Sequence, residues 1–288
     1  MSLEKGLDAF LDAMLGKNRS SATLRAYRTD VGQFITFLHA TNVAVTVPAD
    51  VTKVDVLEYF ASLARKGLTG VARARKISAI REYFRFLEGV GAIHKSPTIG
   101  IDTPKREKNS RQILRSDEYT KMLSLAGANP RDYGILQVFL QTSIRVSELA
   151  GLRLEDIDFV KPAITVRGKG SVEREIALEK RGVQALKNYL AVRPESLSSV
   201  LFLNYKGEPI SDRGIRKMVV KYRKKAGITK KASCPSLRHT FATYKAEKGV
   251  SPFQLQQWLG HANLNTTQIY VHLGKQNAKK LMEQTSLV

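Results

Sequence analysis

Cys234-Pro235-Ser236-Leu237-Arg238-His239-Thr240-Phe241-Ala242-Thr243, followed downstream by Trp258-Leu259-Gly260-His261-Ala262-Asn263-Leu264-Asn265-Thr266-Thr267-Gln268-Ile269-Tyr270-Val271-His272, is the stretch around which the rest of the chain is read. It brings together a fixed cation (Arg238), an imidazole (His261) and a phenol (Tyr270). Those three groups are a kit for chemistry on a phosphodiester: a charge stabiliser, a proton carrier or hydrogen-bond donor, and an oxygen nucleophile. Spacing alone does not single out that chemistry, because Arg, His and Tyr share many helical stretches.

Two upstream segments extend the pattern. Thr142-Ser143-Ile144-Arg145-Val146-Ser147-Glu148-Leu149 supplies a second arginine beside a short polar box, and Gly168-Lys169-Gly170-Ser171 sits between two β-prone runs as a glycine-rich hairpin. Taken together, Leu237 to Thr240, Leu259 to His261, Tyr270 nine residues further on, the Arg145 box and the Lys169 hairpin closely resemble the signature of the tyrosine recombinases, also called the phage integrase family. The resemblance covers most of the chain. It implies an N-terminal helical bundle followed by a mostly helical catalytic domain with a small antiparallel sheet, and site-specific DNA recombination through a 3'-phosphotyrosine and a Holliday junction. No metal or nucleotide cofactor is implied, and the assembly implied is a homotetramer on two DNA sites.

The resemblance also assigns roles. Arg145 and Arg238 would neutralise a pentacoordinate phosphorus, a task that suits planar, permanently charged, bidentate guanidiniums. Tyr270 would be the nucleophile and Lys169 the general acid on the leaving 5'-oxygen, helped by nearby guanidiniums that lower its pKa. His261 would hydrogen-bond a nonbridging oxygen or help manage the proton of the nucleophile. Trp258 is most simply core. Two positions depart from the family pattern. Pro235 stands where the family usually carries His or Lys, and Ser143 stands where it usually carries Gly. His239, one position past Arg238, points about 100° away on a helix and does not replace the missing group. A type IB topoisomerase uses the same kit, and a DNA-binding relative with impaired cleavage would also fit Pro235.

Charge names the partner independently. The 288 residues hold 47 Lys plus Arg against 26 Asp plus Glu, a net charge of +21 that repels itself unless it meets a polyanion. Double-stranded DNA is the expected partner. Length implies two domains, and 43% hydrophobic residues suffice for two cores. Cys234 is the single cysteine, so an intrachain disulfide and a Cys-x-x-Cys zinc site are excluded. The first residues lack the apolar core of a signal peptide, and no run of about 18 apolar residues exists to span a membrane. A cytoplasmic location is expected.

Apolar period and capping residues predict helices over Leu3–Leu15, from Ser20 or Ser21 to Thr41, over Thr52–Lys66 with a Thr52/Asp55 capping box, and over Thr69–Glu88. The last carries Arg73, Arg75 and Lys76, read as candidate phosphate contacts, while Tyr83, Phe84 and Phe86 read as core. The Pro-containing, charged stretch 101–113 reads as a linker, dividing a domain at 1–106 from one at 107–288, both net positive. Past it, Ser116 is expected to cap a helix to Ala126, and Pro130 to open another that ends near Arg145. Strands are expected at Ala163–Arg167 and Val172–Leu178, with Leu201–Asn204 as a possible third. Asp212–Ala226 is the densest basic helix. Its Arg213, Arg216, Lys217 and Lys221 are candidate DNA contacts that would either enter the major groove or grip the backbone. The terminal stretch Gln276–Val288 could dock on a neighbouring protomer.

Overall fold

Hydroxyl side chains start the helices of the first half. In the computed structural model, which describes residues 1–104, 112–168 and 173–260, α1 (Leu3–Gly16) begins at Ser2, α2 (Ser21–Thr41) at Ser20, α3 (Lys53–Arg65) at Thr52 and α4 (Gly70–Gly89) at Thr69. Each hydroxyl accepts a backbone N–H of the first turn, satisfying a donor that the helix itself cannot. Asp55 completes the box by accepting the Thr52 N–H at 2.8 Å.

The apolar stripes of these four helices close on an aromatic core. Phe10, Phe34, Tyr83 and Phe84 are fully buried, with rings packed edge-on or tilted against one another and against Tyr59. The Tyr83 hydroxyl donates to the Leu3 carbonyl at 3.0 Å, which tethers the start of α1 to α4. Phe86 is partly buried on the same core. The three aromatic residues of the fourth helix are therefore packing groups.

The chain divides into two units, 1–109 and 110–288. The second is built around α6 (Pro130–Thr142). This helix is buried on nearly every side, by Ile135, Leu136, Val138 and Phe139 among others, because α5 (Ser116–Ala126), α8 (Lys180–Leu190), α9 (Asp212–Lys225) and α10 (Cys234–Glu247) all pack on it. Between α7 (Val146–Ala150) and α8 runs an antiparallel sheet in the order β1 (Ile157–Asp158), β2 (Ala163–Arg167), β3 (Glu173–Ala177). Val166 pairs with Arg174 and Ile164 with Ile176. After α10 comes α11 (Pro252–Leu259), capped by Ser251. The mainly α architecture with a small antiparallel sheet agrees with the sequence expectation.

Two local expectations are corrected. The cap of α5 is Arg115 and not Ser116, because the Glu118 carboxylate reaches back to the Arg115 N–H at 2.7 Å and Ser116 is already helical. Leu201–Asn204 does not join the sheet among the described residues. Its backbone instead closes on Glu208–Ile210 through Ile210 N to Phe202 O and Asn204 N to Glu208 O. No helix among the described residues is long and apolar enough to cross a membrane.

Candidate active site

Ser143 turns the chain between α6 and the first arginine. Its backbone is left-handed, φ 56° and ψ 24°, a conformation that costs an L-residue roughly 1–2 kcal/mol. That explains a preference for Gly at this turn. Here the Ser143 hydroxyl donates to the Arg238 carbonyl at 3.1 Å, a bond whose net worth of about 0.5–1.5 kcal/mol offsets most of the strain. The turn buries Ile144 and leaves Arg145 as the N-cap of α7.

Glu148 then fixes Arg145. One carboxylate oxygen accepts the Arg145 backbone N–H at 2.7 Å and the other accepts its guanidinium at 2.8 Å. The Glu148 side chain is only 6% exposed, whereas that of Arg145 is 42% exposed and open to a ligand. Burial works to raise the Glu148 pKa, and the hydrogen bonds and charge of Arg174, with the hydrogen bonds from Arg145, outweigh it. The carboxyl titrates below the ordinary glutamate range and is ionised at neutral pH.

Arg238 lies one turn past the start of α10. Its guanidinium donates to the Ser143 carbonyl at 2.6 Å and to the Leu259 carbonyl. Arg145 donates to the Gly260 carbonyl at 2.7 Å, and Arg174 of β3 to the Trp258 carbonyl at 3.1 Å. Three guanidiniums from three elements thus meet three consecutive carbonyls at the end of α11. A helix C-terminus carries partial negative charge and unpaired carbonyls, so it holds cations where they would otherwise repel one another. Gly260 is left-handed, φ 59°, as a helix-terminating glycine commonly is.

Of the sequence-predicted catalytic residues, Arg145 and Arg238 are brought together on the α11 terminus. Lys169, His261 and Tyr270 lie outside the described residues, as do residues 105–111 of the linker and the stretch Gln276–Val288. Glu148 and Arg174 were not singled out from sequence. The signal for Arg174 is its phase: it falls on the same strand face as buried Ile176 and Leu178, where an unexplained charge requires a partner.

The candidate DNA contacts divide. Arg213, Arg216, Lys217 and Lys221 are all exposed on α9, opposite the buried Ile215, Met218, Val219 and Tyr222. Arg213, Lys217 and Lys221, each four residues apart, line one helical stripe. On α4, Lys76 leaves the set: it is 6% exposed and its ammonium bonds buried Asp30 at 2.9 Å and also Gln33. Arg75 pairs with the same Asp30 while remaining exposed, and Arg73 is half-buried. An acidic residue of α2 makes the difference, by drawing part of the basic run inward.

Residues 112–277 match the model of the phage integrase family, and residues 7–89 that of the phage integrase N-terminal SAM-like domain. The chain belongs to the phage integrase family. It is 36% identical to tyrosine recombinase XerC of Thermodesulfovibrio yellowstonii over 90% of this chain and 88% of that protein. To tyrosine recombinase XerD of Listeria innocua it is 31% identical over 96% and 97% respectively. A solved lambda integrase tetramer bound to a Holliday junction shares the fold at TM-score 0.75 and 19% identity, covering 91% of this chain and 78% of that one. As a member of this family the protein is a site-specific DNA recombinase, and the topoisomerase alternative is not favoured.

Pro235 keeps its interest within the family. It is exposed in the first turn of α10, where its missing N–H costs nothing, one turn before Arg238. Lys230, a possible stand-in for the usual His or Lys, is engaged by Glu118 at 2.8 Å and by the Ile113 carbonyl at 3.2 Å. Pro235→His is expected to accelerate single-turnover cleavage several-fold with little change in DNA affinity, because a proton-transfer or hydrogen-bonding group is restored beside the phosphate. Equal or slower cleavage by a folded variant would mean that another group, His239 or Lys231, already fills that role.

Proposed function

We propose that Tyr270 attacks the scissile phosphate, forming the Tyr270 oxygen–phosphorus bond of a 3'-phosphotyrosine as the phosphorus–O5' bond breaks. The phenol loses its proton, and Lys169 delivers one to the departing 5'-oxygen, leaving a free 5'-hydroxyl. One phosphoester replaces another, so the reverse attack reseals the strand without ATP. Arg145 and Arg238 carry the extra negative charge of the pentacoordinate state, and His261 assists at a nonbridging oxygen or with the nucleophile's proton.

The observation that carries this reading is the meeting of Arg145 and Arg238 at the Gly260 and Leu259 carbonyls, immediately before His261 in sequence. Arg213, Arg216, Lys217 and Lys221, with Arg73 and Arg75 of the first unit, supply phosphate contacts that fix register without reading sequence. Two basic units, divided as 1–106 and 107–288, would clamp a duplex, and a homotetramer on two sites would exchange strands through a Holliday junction, within the cytoplasm.

The test is a suicide substrate from the chain's own genomic locus, nicked beside the cleavage site so that the leaving fragment diffuses away. The expected product is a detergent-resistant protein–DNA adduct, with phosphate on the Tyr270 peptide and a free 5'-hydroxyl on the released strand. An adduct at another residue, or a free 3'-phosphate with no adduct, would overturn the assignment.

A further inference from the structure

We infer that Arg174 is a positioning residue for strand cleavage, holding Glu148, and through it Arg145, in register with the carbonyl end of α11. This rests on the reading of Arg145 as a stabiliser of the scissile phosphate. It adds to that reading a residue on the sheet that need not touch the substrate.

Geometry gives Arg174 this task. Its side chain is 13% exposed and all three guanidinium nitrogens are used within the protein. Two donate to the two oxygens of Glu148, at 3.2 and 2.8 Å, in a planar bidentate pair, and Nε donates to the Trp258 carbonyl at 3.1 Å. Glu148 turns its same two oxygens to Arg145. The carboxylate is therefore a bridge between two guanidiniums, one enclosed and one open, and the enclosed one fixes where the open one stands.

The alternative to such a pair is costly. A buried carboxylate with one partner removed is left undercompensated, and its remaining bonds reorient. Arg145 would keep its charge and lose its aim. Backbone crowding makes the fit specific: a Cβ at residue 260 would come within 2.9 Å of the Arg174 guanidinium carbon, so the arginine lies directly against the Gly260 backbone. Lysine cannot reproduce this arrangement, since a single ammonium lacks the planar fork that spans a carboxylate and a carbonyl together.

Arg174→Lys and Arg174→Ala in the full-length chain, beside Arg145→Ala and Glu148→Gln, test the inference with the suicide substrate at saturating protein. Arg174→Lys is expected to cleave about tenfold to 100-fold slower, the scale of a misplaced catalytic group, with unchanged DNA affinity and a retained cooperative thermal transition. Combined with Glu148→Gln, its loss should be no greater than that of the slower single variant, because both act through one carboxylate. A substrate with sulfur in place of the 5'-bridging oxygen, whose leaving group needs no proton, should not restore the rate. Parental rates in Arg174→Lys, additive losses with Glu148→Gln, or rescue by the sulfur substrate would each overturn the inference. If the parent forms no adduct, or Arg145→Ala cleaves normally, the reading beneath it fails instead, which separates the two.

Discussion

Arg238→Ala and Arg145→Ala each slow single-turnover cleavage by about 100-fold to 1,000-fold, the range for removing one preorganised charge stabiliser. The effect is expected to fall on the rate more than on binding. Charge on the phosphoryl oxygens increases as phosphorus becomes pentacoordinate, and a fixed guanidinium gains most there. The two variants should differ in structural cost. Arg238 also pairs the Ser143 and Leu259 carbonyls, so its loss leaves acceptors open at the α6 and α11 ends, whereas Arg145 leaves mainly the Gly260 carbonyl and a Glu148 still held by Arg174. Arg238→Ala is therefore the less stable of the two by thermal melting. Arg238→Lys separates stability from chemistry, since it retains charge without the bidentate geometry. Cleavage within a factor of a few of the parent in either alanine variant would remove that arginine from the site.

How much of this was legible in sequence follows from which interactions are local. Helix starts were readable because a Ser or Thr cap and an apolar period lie within one turn of each other, as at Ser20 and Thr52. The cap of α5 was misread because the deciding bond comes from the Glu118 side chain, not from the cap residue itself. Tertiary partners were invisible. Nothing near Lys76 announces that Asp30, on another helix, will take its charge, and nothing near Arg174 announces Glu148. The two arginines of the site were found through their boxes, while the carboxylate and the strand arginine that orient one of them were not. A charge on the inward phase of a strand was the available clue. A two-residue strand such as β1 has too few residues for alternation to be detected.

Tyr270→Phe abolishes the covalent protein–DNA adduct while leaving DNA affinity unchanged. The substitution removes one oxygen and keeps the ring, so the proposed nucleophile is lost while the basic groups proposed to grip the phosphates remain. No buried tyrosine is expected to replace it. Of the ten tyrosines in the chain, Tyr59 and Tyr222 are pushed up to about 12 by burial, and Tyr83 and Tyr189 are enclosed and raised in the same way. A buried phenol held neutral and tied into the core cannot reach a phosphate. Tyr205 and Tyr244 are exposed, which makes them alternatives to exclude. The measurement pairs a gel-shift titration with adduct formation on the nicked substrate, run for many parental half-times. Adduct persisting in Tyr270→Phe would assign the nucleophile elsewhere, with the labelled peptide identifying which tyrosine carries it. Lost binding would instead mean that the Tyr270 hydroxyl holds the DNA before it reacts.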